Sequence, residues 1–136
     1  MNVLVVTLAI ALIALLMFKL WKPYMLPGPK RVVPQNEARL YFFYTEWCGF
    51  SKKAQPEWKG IVDIVGATPY FGKTLVTLVP VDGDKDKATA ELYGVDAYPT
   101  IKLETRDGIL EFKKGVKTDK LLQFLRESLG KESASL

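Results

Sequence analysis

The chain contains no histidine and a single cysteine, Cys48, among its 136 residues. Those shortages exclude an internal disulfide, a Cys/His zinc site and any mechanism that uses a histidine base. No Asn-x-Ser/Thr acceptor occurs, so nothing in the sequence marks a glycosylated luminal domain. A lone thiol suits a reducing compartment better than an oxidising one. The charge is mildly basic and mostly dispersed: 19 Lys+Arg against 15 Asp+Glu leave a net +4. Nucleic acid binding needs a clustered basic patch or an aromatic platform, and neither is visible. No nucleic acid partner, metal or cofactor is therefore expected.

What the chain does have is an apolar beginning. From Asn2 to Phe18 no side chain is charged, which approaches the ~20 apolar residues needed to cross a bilayer. Lys19 and Lys22 can snorkel, and Trp21 and Tyr24 suit the headgroup level. Residues 2–22 are expected to form one transmembrane helix, with the lipid bilayer as partner. The alternative is a cleavable signal peptide, but a basic n-region and a small-residue cleavage pair before Pro23 are both missing. Lys19, Lys22, Lys30 and Arg31 all follow the apolar run. The positive-inside rule then puts the soluble part of this single-pass protein on the cytosolic side, the alternative being the lumen of the endoplasmic reticulum.

Pro23, Pro27, Gly28, Pro29 and Pro34 make residues 23–35 a stiff juxtamembrane linker. Beyond it, helical and extended patterns alternate. Arg39–Tyr44 is an aromatic strand, and residues 49–65 carry a helical run with Pro56 inside it. Thr74–Val81 is a buried-type strand, and Lys87–Tyr93 a short helix closed by Gly94. Thr100–Thr105 and Ile109–Phe112 flank Asp107-Gly108, a hairpin turn signal. Thr118 is placed to N-cap a last helix bearing Leu121, Leu122, Leu125 and Leu129 on one face. The expected order is βαβαββα, a mixed sheet with helices on both sides over residues 36–130. Residues 131–136 read as a frayed C-terminal tail.

Two segments stand out chemically. Trp47-Cys48-Gly49-Phe50-Ser51 lies between the aromatic strand and the next helix. A cysteine in a first helical turn meets free backbone N–H groups and the helix dipole, both of which favour thiolate. Lys52 and Lys53 add positive charge, although exposed charges there, Glu46 included, have a solvated default reading. The competing reading of Cys48 is a buried, inert cysteine. The second segment, Gly94-Val95-Asp96-Ala97-Tyr98-Pro99-Thr100, places a proline directly before a strand, and Tyr98-Pro99 is a candidate cis bond.

Two further patterns carry less. Ala67–Thr74 fits a relaxed phosphate loop, but a helix precedes it and a strand follows, the reverse of what phosphate binding requires. Asp82-Gly83-Asp84-Lys85-Asp86 opens like a calcium loop, yet its glycine is misplaced and its twelfth position is Tyr93. It is expected to be a turn.

Together, Trp47-Cys48-Gly49 and Tyr93-Gly94-Val95 through Tyr98-Pro99-Thr100 resemble the thioredoxin superfamily, in particular the thioredoxin-like domains of protein disulfide isomerases. Asp107-Gly108, Phe112, Gly115 and the leucine-rich last helix follow the same pattern. The resemblance implies an α/β thioredoxin-like fold behind the membrane helix, with Cys48 as the attacking thiolate. It also implies a groove of Trp47, Gly49, Phe50, the Ala97-Tyr98 backbone and cis-Pro99 where an extended client docks.

The departures are specific. The family's second cysteine falls at Ser51, its intervening proline at Phe50, and its buried acid at Phe42. Without a resolving thiol, exchange stops at a mixed disulfide until an outside thiol releases it. A full dithiol oxidoreductase cycle is not expected. The resulting expectation is a membrane-tethered monothiol protein that engages protein thiols or disulfides through Cys48, with a disulfide-linked partner as one consequence. The alternative is a redox-inactive structural or adaptor protein contacting neighbouring subunits of a membrane-containing assembly, such as the internal-membrane virion of a large DNA virus.

Overall fold

The computed structural model describes residues 2–20 and 33–135. They fall into two compact units that divide between Arg31 and Val32. The first is helix α1, Val3–Leu20, whose 18 residues span roughly 27 Å at 1.5 Å per residue. Its described apolar side chains, from Val3 to Ile13, are exposed. Among the described residues no helix is long and apolar enough to cross a membrane. The expected membrane helix over 2–22 runs on into residues 21 and 22, which lie outside the described residues. Residues 23–32 of the expected linker lie outside them as well.

The second unit is built on one six-stranded sheet. Its elements in chain order are β1 (Glu37–Tyr44), α2 (Gly49–Ala67), β2 (Tyr70–Phe71), β3 (Thr74–Asp82), α3 (Lys87–Leu92), β4 (Thr100–Thr105), β5 (Gly108–Phe112), α4 (Thr118–Leu129) and β6 (Glu132–Ser133). The spatial order is β5-β4-β1-β3-β2-β6. β1 runs parallel to β3 through the α2 crossover and antiparallel to β4, so the sheet is mixed.

Period-2 alternation along β1 decides the layers. Ala38, Leu40 and Phe42 face a core completed by Trp58, Ile61 and Val65 of α2 and by Leu121 and Leu125 of α4. Tyr41 and Phe43 face the other way, onto Ala90 and Tyr93 at α3. Phe42 is 1% exposed and stacks on Trp58 with centroids 5.0 Å apart. Such aromatic pairs contribute about 0.5–1.5 kcal/mol beyond the area they bury.

Three features differ from the sequence reading. β2, which makes a tight hairpin with β3 around Gly72 and Lys73, is only two residues long and too short to show a period. Gly72 takes φ +59°, and an added Cβ would meet the Leu129 carbonyl oxygen at 2.4 Å. Residues expected as a frayed tail instead pair Glu132 with Phe71 and Ser133 with Tyr70. Arg126 of α4 secures that strand through an ion pair with Glu132.

Thr118 is the first residue of α4 rather than its cap. The cap position is Lys117, which makes no side-chain cap bond. The Glu57 carboxylate of α2 does the work in trans: it accepts from the Thr118 amide at 2.9 Å and from its hydroxyl at 2.8 Å. Lys117 closes the cluster at 2.8 Å from Glu57. A free helix N-terminus thereby obtains an anion from its neighbour.

Candidate functional site

β1 ends at Tyr44 and α2 starts at Gly49, leaving Thr45–Cys48 to turn the chain. Cys48 occupies the N-cap of α2 with extended backbone angles, φ −80° and ψ 118°, and no side-chain cap bond. Its carbonyl accepts from the Lys52 amide at 3.0 Å, so the helix begins at this residue. The sulfur is left among unsatisfied first-turn amides. The Ser51 amide acts most strongly on it; with the Ser51 hydroxyl and the Phe50 amide it holds the thiol below its ordinary value, against a smaller opposing effect of desolvation.

The site has two sides. Tyr98-Pro99 is cis, and the Cys48 thiol donates to the Tyr98 carbonyl at 3.5 Å. The structure therefore brings together residues 50 positions apart in the chain. Trp47 and Phe50, at 70% and 74% exposed, flank the half-buried thiol with exposed apolar surface. Gly49 is exposed, and an added Cβ there meets nothing within 4 Å. Ser51 is fully buried, and its hydroxyl accepts from the Thr45 amide at 3.3 Å. Ser51 thus ties the turn together at the place a second thiol would occupy.

A groove of about 400 Å³ runs beside the thiol, lined by Phe50, Lys53, Tyr98, Pro99, Lys114 and Val116, among others. Its far wall is the Lys114–Lys117 segment between β5 and α4. Of that wall the sequence reading singled out only Gly115; the further signal was Lys113-Lys114-Gly115, a charged turn directly after a strand. Among the described residues, the layer between the sheet and α2 is filled largely by apolar side chains, Phe42 and Trp58 among them.

The ionisable groups of the interior lie on the opposite face. Glu104, 4% exposed, accepts from the Tyr93 and Tyr41 hydroxyls at 2.9 and 3.2 Å and stands 3.8 Å from Arg39. Lys102, 8% exposed, donates to the Tyr93 carbonyl at 2.7 Å and pairs with Glu111 at 3.2 Å. This network also escaped the sequence reading, since Lys-Leu-Glu within a strand looks like solvent-facing alternation. The Asp82 region is a turn, as expected: Asp82 accepts from the Asp84 amide at 3.0 Å, and Asp86 caps α3 through the Thr89 amide at 3.0 Å.

Residues 30–127 match the protein-family model described as Thioredoxin. The chain belongs to the thioredoxin family. Protein disulfide isomerase-like 2-1 of Oryza sativa subsp. japonica is 35% identical over 106 residues, covering 78% of this chain and 27% of that protein. Protein disulfide-isomerase A6 of Homo sapiens is 32% identical over 74 residues, 54% of this chain and 15% of that one. The chain thus spans about a quarter or less of the length of these relatives. Among solved structures, the zinc-bound form of human ERp44 is similar at a TM-score of 0.57 and 27% identity, over 66% of this chain and 26% of that one. The zinc belongs to that protein. In this family member, no group of three or more His, Cys, Asp or Glu that could hold a metal is found among the described residues.

Proposed function

We propose that this protein engages the disulfides of client proteins, capturing one client sulfur as a mixed disulfide with Cys48. The observation that carries the reading is the placement of its sulfur at the N-cap of α2, 3.5 Å from the carbonyl that precedes cis-Pro99. In the forward step the Cys48 thiolate attacks one sulfur of a client disulfide. The new S–S bond to Cys48 forms as the client's bond breaks, and the expelled client thiolate takes a proton from water. Ser51 has no thiol to displace the client, so release is a second exchange with an external thiol. Trp47, Phe50, Tyr98 and Pro99 form the docking surface, and Ser51 stabilises the thiolate.

A bilayer tether through residues 2–22 completes the proposal. The uncharged run Asn2–Phe18 and its flank of Lys19, Trp21 and Lys22 support it, whereas the described length of α1 falls short by itself. A cytosolic-side domain follows from the same charges. A redox-inactive binding module is the second reading, favoured by Ser51 and Phe42 standing where the family carries a thiol and an acid.

A non-reducing gel of native membranes, comparing wild type with Cys48→Ser, decides between them. A higher-mass band that disappears in the variant supports capture, and its excised partner names the client. Complete absence of such a band, together with an alkylation pH midpoint at or above the ordinary thiol value of 9.0, sinks the capture reading. With a working thiolate that midpoint lies below the ordinary value, and Ser51→Ala moves it part of the way back up.

A further inference from the structure

Charge around Cys48 is distributed unevenly, and this asymmetry bears on which clients the thiol meets. On one flank the groove carries Lys53, Lys114 and Lys117 and no carboxylate. Lys117 is committed to Glu57 at 2.8 Å. Lys53 and Lys114 are exposed, and neither forms an ion pair among the described residues. Lys53 sits 6.0 Å over the Phe50 ring, which holds its charge beside the apolar wall of the groove.

The other flank is acidic. Tyr98 joins the two: its ring borders the groove, while its hydroxyl reaches the turn after β3. An added Cβ on Gly83 would lie 2.1 Å from that hydroxyl, so this turn needs glycine to receive the tyrosine. Around it stand Glu46, Asp82, Asp84 and Asp86, offset by Lys85, which bridges Asp82 at 3.1 Å and Glu46 at 3.4 Å. Burial, and then the fields of Asp84 and Asp82, push the Tyr98 phenol up, as expected for carboxylates that face it.

We propose that this bipolar surface selects extended client segments with acidic residues on one side of the reacting cysteine and basic residues on the other. The proposal rests on the thiol-exchange reading above and adds the substrate class to it. A strand laid past Cys48 and Pro99 extends towards Lys53 and Lys114 in one direction and towards Asp84 and Glu46 in the other. Its order of charges then decides whether both ends attract or both repel.

The test uses the full-length protein in detergent and a pair of peptides of identical composition. One places two lysines before its cysteine and two glutamates after it; the other reverses them. Each cysteine carries a chromogenic aromatic thiol in disulfide linkage. Attack by Cys48 on the peptide sulfur expels the aromatic thiolate, so its absorbance reports the rate. Equal net charge removes any general attraction to a basic protein. The proposal expects one peptide to react about five- to tenfold faster at low ionic strength, with the two rates converging as salt is raised. It also expects Lys53→Glu with Lys114→Glu to abolish or invert the difference.

Equal wild-type rates overturn the selectivity while leaving thiol exchange intact. A difference that survives both charge reversals unchanged removes its assignment to this groove. No release from either peptide, by a folded protein that iodoacetamide still alkylates, ends the exchange reading and the selectivity together.

Discussion

The two faces of the sheet are made from alternate residues of the same strands, yet they are physically unlike. Ala38, Leu40 and Phe42 of β1 and Ile101 and Leu103 of β4 look onto α2 and α4, and that layer is dry. Arg39 and Tyr41, with Lys102 and Glu104, look the other way into a connected polar network. Cys48 stands at the start of α2, on the dry side. Phe42, where the resemblance places the family's buried acid, stacks on Trp58 instead. The buried carboxylate this chain does keep, Glu104, hydrogen-bonds tyrosines on the far face. The Cys48 thiol is held below its ordinary value by the helix start itself, by the Ser51 amide first and then by the Ser51 hydroxyl and the Phe50 amide.

This contrast can be broken most severely from the dry side. Phe42→Ala removes a fully buried ring from between Trp58 and Tyr44. It should destabilise the domain by about 3–5 kcal/mol, read as a fall in the urea midpoint with an unchanged slope. On the polar face, Glu104→Gln keeps the size and an acceptor but loses the charge facing Arg39 and the two tyrosine hydroxyls. A loss of about 1–3 kcal/mol is expected in the same measurement. If the second variant costs more than the first, the network outweighs the aromatic stack and the contrast drawn here is reversed.

The smallest effect concerns the bridge between α2 and α4. The Glu57 carboxyl is pulled down to about 2, first by Lys117 and then by the Thr118 amide and hydroxyl. A depressed carboxyl stabilises the fold above its unfolded value of 4.5, and that contribution disappears as pH falls from there through the folded value. Wild type should accordingly lose melting temperature between about pH 4.5 and 2. Glu57→Gln should start lower at neutral pH and lose less over that interval. Parallel curves for the two proteins would show that the cap contributes nothing measurable.

Much of the fold was legible because it rests on local rules. The aromatic run of β1, the helical stretch after Gly49, the Asp107-Gly108 turn and the leucine face of α4 each carry their own period or turn chemistry, and each forms where it was expected. What escaped were partnerships. β2 and β6 are two-residue strands, too short to have a pattern, and exist because Gly72 lets the Leu129 end of α4 come close. The cap of α4 comes from Glu57, far away in sequence, so reading Thr118 as the cap missed the real acceptor.

The site divides in the same manner. One cysteine, no histidine, serine at the second position and phenylalanine in place of the acid were determined by the sequence, because chemical identity needs no geometry. It settled which reactions lack their reagents: an internal disulfide and an intramolecular resolving step. Tertiary structure decided what surrounds the thiol. The Tyr98 carbonyl reaches Cys48, Lys53 meets Lys114 across a groove, and Asp84 faces Tyr98, only because parallel pairing of β1 with β3 and antiparallel pairing of β1 with β4 bring distant loops to one end of the sheet. Electrostatic and hydrogen-bonding effects depend on distances through space, and those are set by strand pairing rather than by position along the chain.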